Sequence, residues 1–349
     1  MVYRAQDPMS QENKHSEKAQ ILNPRSPNFA EQWQTLMCQP VVPVEKDLLS
    51  EQKAELRNLR KFKYWQSCIH EDFEHDEGVW CYFPWHRQIV RVVSKEYFLL
   101  LRLARNIPKT DIHELLLLRE KRIGIVGMSV GQSILRCLAQ EGVGGHFAIA
   151  DFDYLETTNL NRIASGLHQS GLKKTTIASR FIAELDPFIE VSIYPEGINE
   201  TNIEEFVRNK DLIIEECDNL SIKKLVRNCC KAAKIPVLMD TSDQLMIDVE
   251  RYDLEPNRPI FHGLIIDTKS DVPEIIRILE PDKCSERGRK SLTEIGVTIP
   301  SWPQLASDVQ LGSAVTAKVS RAILLGETIP SGRFRCDIMS LFEKQLEHR

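Results

Sequence analysis

The chain has 349 residues, of which 42% are hydrophobic and 27% are charged. This composition is typical of a globular protein with one large α/β domain and a smaller appendage, or with two domains. A formal net charge of −5 argues against nucleic-acid binding driven by bulk positive charge. No apolar run is long enough for a membrane span, and the polar N-terminus does not resemble a signal peptide. We therefore expect a cytoplasmic protein that binds neither nucleic acid nor a membrane.

The nine cysteines do not form a recognisable framework. An odd number of cysteines in a cytoplasmic chain is typical of reduced thiols. The sequence contains no Cys-x-x-Cys pair, which argues against a structural zinc ribbon.

Composition changes along the chain, which predicts a separate N-terminal unit. The first glycine is Gly78, and four of the five tryptophans precede residue 90. Residues 44–63 are charged and helix-prone, whereas residues 79–95 are aromatic and β-branched and predict strands interrupted at Pro84. The predicted domains are a disordered tail over 1–25, a small α+β extension over 26–99, a large domain over 100–330 and a C-terminal tail over 331–349.

From residue 119 onward, short apolar strands alternate with amphipathic helices. This alternation predicts βαβ units and a Rossmann-like, doubly wound, mostly parallel sheet. The predicted strands are 123–126, 147–150, 191–193, 212–214 and 237–239, and the intervening helices include Ile134–Leu138, Ile177–Leu185 and Ile222–Ala233.

Two later segments predict an antiparallel part of the sheet. Ile247–Tyr252 and Ile260–Ile266 have strand-like sequences with no helix between them. A last amphipathic helix, through Val315 and Ile323, is expected to end at Gly326, because glycine favours helix C-termini.

A glycine-containing turn follows the first predicted strand of the large domain. Gly127-Met-Ser129-Val-Gly131 leads directly into a helix, an arrangement that brings backbone N–H groups against phosphate. Asp151 ends the next strand, at the position where Rossmann-type sites hold a ribose. An enzyme that binds a nicotinamide dinucleotide would have the same features.

The polar residues downstream favour ATP with magnesium over a nicotinamide cofactor. Asp151 and Asp153 are followed by Thr-Asn159-Leu-Asn-Arg162, by Gly171-Leu-Lys-Lys174, and by Asp218-Asn219 after another strand. A triphosphate needs cations, its metal needs a carboxylate, and the nucleoside needs amide or hydroxyl partners. A binding site for a nicotinamide ring would be lined by more apolar residues than these.

These segments, in this order and spacing, resemble the ThiF/MoeB/HesA family of adenylyltransferases, which are similar to ubiquitin-activating enzyme. The similarity extends over about residues 100–327. It implies that Asp151 binds ribose, that Asn159 and Arg162 contact the nucleotide and its phosphates, and that Lys174 binds phosphate, with Lys173 as the alternative. It also implies that Asp218 is the magnesium ligand. The complete predicted nucleotide site is Gly127, Ser129, Gly131, Asp151, Asp153, Asn159, Arg162, Lys174, Asp218 and Asn219.

An arginine pair precedes the glycine turn. Arg102-Leu-Ala-Arg105 resembles the family signature whose second arginine reaches the ATP of a partner subunit, which implies a homodimer with Arg105 as the finger. The alternative is that both arginines lie on the solvent face of one helix.

The family resemblance implies ATP- and magnesium-dependent adenylation of a carboxylate, with release of pyrophosphate. The carboxylate would belong to a peptide, a small carrier protein or a small acid, and would pass to an amine or a thiol. Cys284 is the candidate thiol, because Lys283 and Arg287 are expected to lower its pKa. The open alternatives are a nicotinamide- or flavin-dependent oxidoreductase and a non-catalytic nucleotide-binding protein.

The chain departs from the family in three respects. Its glycine turn is short, and the paired cysteine zinc ligands of many members are missing. Asp240-Thr-Ser-Asp243 stands where members often have glycine, near the expected substrate position. The last departure puts the usual protein-tail substrate in doubt.

Overall fold

A computed structural model describes residues 18–265, 277–340 and 342. The chain divides into two compact units. The first comprises the chain up to Ile112 together with Ser179–Ile189, and the second comprises His113–Ala178 together with Glu190–Arg349. The domain boundaries inferred from composition stay predictions.

The first unit contains a four-stranded sheet in the order β1-β3-β4-β2. Its strands are β1 (Gln20–Leu22), β2 (Val44–Asp47), β3 (Val79–Phe83) and β4 (Gln88–Val92). As predicted, Pro84 ends β3, because proline has no N–H to donate to the sheet. Residues 1–17 of the predicted disordered tail lie outside the described residues, whereas β1, from the same predicted tail, pairs with β3.

Helices cover a core within this first unit. They are α1 (Phe29–Met37), α2 (Leu49–Arg60), α3 (Lys63–Gln66) and α4 (Lys95–Leu103). Leu56, Trp65 and Ile69 are buried between them. The prediction of helix from residue 44 is wrong for residues 44–47, which form β2 because their backbone pairs with β4, a partner that local sequence does not reveal.

The second unit is built on a seven-stranded sheet in the order β11-β10-β9-β8-β5-β6-β7. Its strands are β5 (Arg122–Val126), β6 (His146–Ala150), β7 (Glu190–Tyr194), β8 (Leu212–Glu215), β9 (Val237–Asp240), β10 (Ile247–Glu250) and β11 (Gly332–Phe334). Strands β5 to β9 are parallel, and β10 and β11 are antiparallel additions, which confirms the predicted mixed sheet. Strand β11 lies within the predicted C-terminal tail.

The remaining helices alternate with these strands. They are α5 (Ile112–Arg119), α6 (Val130–Glu141), α7 (Lys174–Leu185), α8 (Ile203–Val207), α9 (Leu220–Ala233), α10 (Glu286–Glu294) and α11 (Ala306–Leu324). The chain continues from β5 outward to β6 and β7, and then returns to the other side of β5 to form β8. This reversal creates a topological switch point at the carboxyl ends of β5 and β8, the usual position of a ligand in such a sheet.

The strand predicted over Ile260–Ile266 is wrong. Ile260–Gly263 form a 3-10 turn, in which Phe261 and His262 have φ values of 49° and 55°. The Phe261 ring is buried, with its centroid 3.9 Å from the Arg227 guanidinium. This contact holds the segment in a turn that the apolar sequence pattern alone does not indicate. Ile266 lies outside the described residues.

No helix in the described part of the chain is both long and apolar enough to cross a membrane.

Candidate functional site

The turn between β5 and α6 lies at the switch point and requires glycine. Gly127 has a φ of 90°, and a Cβ atom there would lie 2.7 Å from the carbonyl carbon and oxygen of Glu216, which follows β8. A Cβ on Gly131 would lie 2.8 Å from the Ile125 side chain, so this second glycine lets α6 pack closely on β5. The N-terminus of α6 is thus held at the end of the sheet, where its N–H groups and dipole favour an anion.

Asp151, at the end of β6, holds this turn in place. Its two carboxylate oxygens accept hydrogen bonds from the backbone nitrogens of Met128, at 2.6 Å, and Asp153, at 2.7 Å. Burial raises the pKa of Asp151, and these two hydrogen bonds oppose the rise. The residue predicted to bind ribose therefore also fixes the shape of the glycine turn.

The two neighbouring lysines make different contacts. Lys174 is buried, and its Nζ lies 2.7 Å from the Asp153 carboxylate. Lys173 instead donates to the carbonyl oxygens of Phe152 and Pro195, at 3.0 and 2.9 Å. Lys173 thus ties two backbone segments together, whereas Lys174 faces the Asp151–Asp153 turn.

Arg162 bonds to the glycine turn and lies near the segment that follows β8. Its Nε donates to Ser129 Oγ at 3.0 Å, and its Nη1 donates to Asn161 Oδ1 at 2.9 Å. Burial lowers the pKa of Arg162, and the nearby Asp218 carboxylate opposes that change. Arg162 is therefore close to both the α6 N-terminus and the predicted metal ligand.

Asn159, Asp218 and Asn219 differ in how much of each side chain is already engaged. Asn159 is buried, and its Oδ1 accepts the Glu156 N–H at 3.1 Å. The Asn219 Oδ1 accepts the Ile222 N–H at 3.0 Å and caps α9. Asp218 is exposed and makes no hydrogen bond or ion pair with any part of the chain that the structure describes. Asp218 is thus the one of the three whose side chain is exposed and makes no hydrogen bond within the described ranges.

The donor set fits a magnesium ion that is bound mainly through phosphates. Among the described residues, no group of three or more His, Cys, Asp or Glu side chains is arranged to hold a metal. Magnesium commonly uses one or two carboxylates, with substrate phosphates and water completing its shell. Asp218 is an exposed carboxylate near Arg162 and would fit this role.

Sequence reasoning missed a carboxylate pair beside the site. Glu216 Oε1 accepts the Asp240 N–H at 2.9 Å, and burial and the Asp240 charge raise the pKa of Glu216 well above its ordinary value. Burial also raises the pKa of Asp240 to about 6. A Cβ on Gly312 would lie 2.0 Å from Asp240 Oδ2, so only glycine on α11 leaves room for this acid. The unusual Asp240 was visible in the sequence, but its pairing with Glu216 was not.

Asp240→Asn is expected to stabilise the protein at pH 8 by about 2 kcal/mol and to have little effect near pH 4. Because the folded-state pKa of Asp240 is raised, the protonated carboxyl group favours the folded state. This contribution is present below the unfolded-state pKa near 3.8 and is lost as the carboxyl group ionises, when pH rises through about 6. Chemical denaturation at both pH values measures the difference. Glu200→Gln, at an exposed acid of the second unit, is the control and should change stability little at either pH.

Cys284 does not have the environment predicted for a reactive thiol. Its side chain is buried, and its Sγ lies 3.3 Å from the Leu279 carbonyl oxygen. Burial and the nearby Asp243 raise its pKa, so the expectation of a lowered pKa is wrong. Lys283 was predicted to lower the pKa of Cys284, but its Nζ pairs with the Glu280 carboxylate at 2.6 Å instead.

The two arginines of the upstream pair belong to the first unit and differ from one another. Arg102 forms an ion pair with Asp186, at 3.1 Å, and its side chain is only 11% exposed. The alternative of a shared solvent face is therefore wrong for Arg102. Arg105 is exposed, in the 3-10 turn that follows α4.

Comparison with known proteins identifies the family. Residues 102–285, more than half of the chain, match the ThiF family. The chain belongs to the ThiF family. An uncharacterized protein of Mycobacterium tuberculosis is 42% identical over 275 residues, which are 76% of this chain and 38% of that protein.

Two further comparisons are more distant. The adenylyltransferase and sulfurtransferase MOCS3 of Mus musculus is 29% identical over 143 residues, 40% of this chain and 31% of that protein. The crystal structure of PaaA shares the fold, with a TM-score of 0.50 and 18% identity over 68% of this chain and 77% of that chain. This ThiF-family chain thus spans about a third of the length of the two curated relatives, and the solved structure supports the fold alone.

Proposed function

We propose that this chain uses ATP and magnesium to adenylate a carboxylate, with release of pyrophosphate. The observation that carries the proposal is the set of groups around the α6 N-terminus. Arg162 bonds to the glycine turn, Lys174 faces the Asp151–Asp153 turn, and Asp218 is exposed beside Arg162. Two cations, a helix N-terminus and one solvent-facing carboxylate suit a magnesium triphosphate. The name of one relative, adenylyltransferase and sulfurtransferase, supports the same reaction.

In this reaction a carboxylate oxygen attacks the α-phosphorus of ATP. The new oxygen–phosphorus bond forms as the bond to the bridging oxygen breaks, and pyrophosphate leaves with the electron pair. The barrier is mainly electrostatic, because two anions must approach one another. Arg162 and Lys174 would offset the charge on the phosphates, and the ribose would lie near Asp151. Magnesium, held by Asp218, would neutralise the phosphate charge further.

The substrate is proposed to be the C-terminus of a peptide or small carrier protein, or a small acid. The activated acyl group would then pass to an amine or a thiol. The predicted cytoplasmic localisation is part of the same proposal.

Nucleotide selectivity separates this function from the oxidoreductase alternative. Isothermal titration of the wild-type chain with ATP, in the presence and absence of magnesium, and with NAD is the test. We expect ATP to bind more tightly than NAD and magnesium to strengthen ATP binding. Tighter binding of NAD would favour the oxidoreductase and contradict the proposal.

We also propose that the active form is a homodimer in which Arg105 acts on the partner's ATP. Arg105→Ala alone forms dimers that lack both arginine fingers, and Asp218→Asn alone forms dimers that lack both metal ligands. Each variant should therefore have little activity by itself. A mixture that exchanges subunits freely should regain about a quarter of wild-type activity, since half of the dimers are mixed and one of their two sites is complete. Pyrophosphate release measures this recovery.

The controls of this complementation are physical mixing and oligomeric state. Subunit exchange is verified with two different affinity tags before activity is read. An inactive mixture after proven exchange, or a chain that is monomeric under assay conditions, would rule out the finger in trans.

A further inference from the structure

A polar pocket of about 270 Å³ lies between α6 and α11 within the second unit. Ser133, Arg136 and Gln140 line it from α6, and Ser313 lines it from α11. Arg162, the residue that bonds to the glycine turn, completes one side. Arg162 therefore belongs both to the wall of this pocket and to the proposed nucleotide site.

The charge of this pocket suits an anion with several negative charges. Its described lining residues include two guanidinium groups and no carboxylate. Burial lowers the pKa of both Arg136 and Arg162, which indicates that water solvates these guanidinium groups less than it would on an open surface. Arginine remains charged under such conditions and binds phosphate oxygens through paired N–H groups.

A buried hydroxyl group points to a ligand independently of this charge. Ser313 is 1% exposed, and its Oγ has no hydrogen-bond partner in the described ranges of the chain. Buried hydroxyl groups are normally paired. An anion in the pocket would provide the acceptor that the Ser313 hydroxyl lacks.

The direction of the pocket relates it to the reaction. From Ser133 to Gln140 the lining residues follow α6 over about 10 Å, away from the glycine turn. Arg162 lies at the beginning of this path and Arg136 lies farther along it. An anion that leaves the phosphate site would thus pass from one guanidinium to the next.

We propose that this pocket binds inorganic pyrophosphate, the leaving group of adenylation. The inference rests on the proposed function, which supplies the pyrophosphate. When the bond between the α-phosphorus and the bridging oxygen breaks, pyrophosphate takes the electron pair, and no proton transfer is required. Arg162 holds the anion while it is still part of ATP, and Arg136 with Ser313 binds it after cleavage. Product release is therefore directed along α6.

The test is calorimetric titration of the full chain with inorganic pyrophosphate, in a buffer without magnesium or ATP. Arg136→Gln should weaken pyrophosphate binding about tenfold, because it removes a charged hydrogen-bond donor. Ser313→Ala, which removes only a hydroxyl, should weaken it about threefold. Lys318→Gln changes the net charge by the same amount at an exposed position of α11 and should have no effect. AMP, which lacks the two distal phosphates, should bind equally well to the wild type and to Arg136→Gln.

The outcomes distinguish this inference from the proposed function, because the titration needs no turnover. Equal pyrophosphate affinity of the wild type and both pocket variants overturns the inference even if the chain adenylates carboxylates. An equal loss in Lys318→Gln, or sulfate binding as tightly as pyrophosphate, also overturns it. A selective loss in Arg136→Gln and Ser313→Ala supports the pocket even if no tested carboxylate triggers turnover.

Discussion

Asp218→Asn is expected to reduce magnesium-dependent ATP turnover by about 10²–10³-fold while leaving the fold intact. Asp218 is exposed and has no described hydrogen bond or ion pair, so the amide neither opens a cavity nor leaves a buried partner unpaired. The amide cannot replace the negative charge that would hold the metal in the proposed function. Pyrophosphate release over a range of magnesium concentrations measures the effect, and circular dichroism checks the fold.

An exposed acid outside the predicted site provides a matched control. Glu327→Gln also removes one negative charge at an exposed position, and it should leave turnover and the free energy of unfolding nearly unchanged. Near-wild-type activity of Asp218→Asn, with an ordinary magnesium dependence, would rule out the metal assignment. A loss of stability in that variant would show that Asp218 has a structural role instead.

Arg227→Ala is expected to destabilise the second unit by about 3–5 kcal/mol. Arg227 is fully buried on α9, and its guanidinium lies 2.5 Å from Glu215 and 2.6 Å from Glu250. Removal of the arginine leaves two buried carboxylates without their shared cation. The free energy of unfolding, measured by chemical denaturation at pH 7, gives the loss.

The pH dependence of this loss has a defined sign. Burial acts to raise the pKa of Glu215, but Lys223 and Arg227 hold it below its ordinary value. The stability that Glu215 contributes is therefore present above its unfolded-state pKa of about 4.5 and is lost as pH falls through the lower folded-state value. In Arg227→Ala the carboxylates should protonate more readily, so the difference from wild type should narrow at pH 4.

Two control variants separate the loss of charge from the loss of volume. Arg227→Met fills more of the space without a charge and should still be strongly destabilised, because Glu250 loses its ion pair with Arg227 and Glu215 keeps only Lys223. Lys231→Ala, four residues along the same helix, should change the free energy of unfolding by less than about 0.5 kcal/mol. A destabilisation of Arg227→Ala no larger than that of Lys231→Ala would contradict the account of the buried network.

The large sheet could be predicted because its signals are local. Apolar runs such as Ile123–Val126 alternate with amphipathic helices, and the first glycine of the turn is required by a positive φ and by the approach of Glu216. The errors occur where distant segments decide the structure. Residues Val44–Asp47 form a strand because β4 pairs with them. The backbone at Phe261 forms a turn because Arg227 packs against the Phe261 ring.

The candidate site was predictable in its composition but not in its internal contacts. Asp151 was expected to bind ribose, whereas its role in holding Met128 depends on the path of the backbone. The Glu216–Asp240 pair joins the ends of two strands, and the Arg227 network joins α9 with β8 and β10. The pKa of Cys284 was predicted to be low from the neighbouring cations in the sequence, whereas burial raises it. Neighbouring residues in the sequence indicate which charges lie close to a titratable group, whereas the desolvation of that group depends on tertiary packing.

The most direct test of carboxylate adenylation is mass spectrometry of the nucleotide products. The wild-type chain is incubated with ATP, magnesium and a panel of peptides with free C-termini, amino acids and small organic acids. We predict an acyl-adenylate, or AMP with an equal amount of pyrophosphate, that depends on one class of carboxylate and is lost in Asp218→Asn. Formation of ADP and phosphate from ATP, with no adenylate for any member of the panel, would contradict the account.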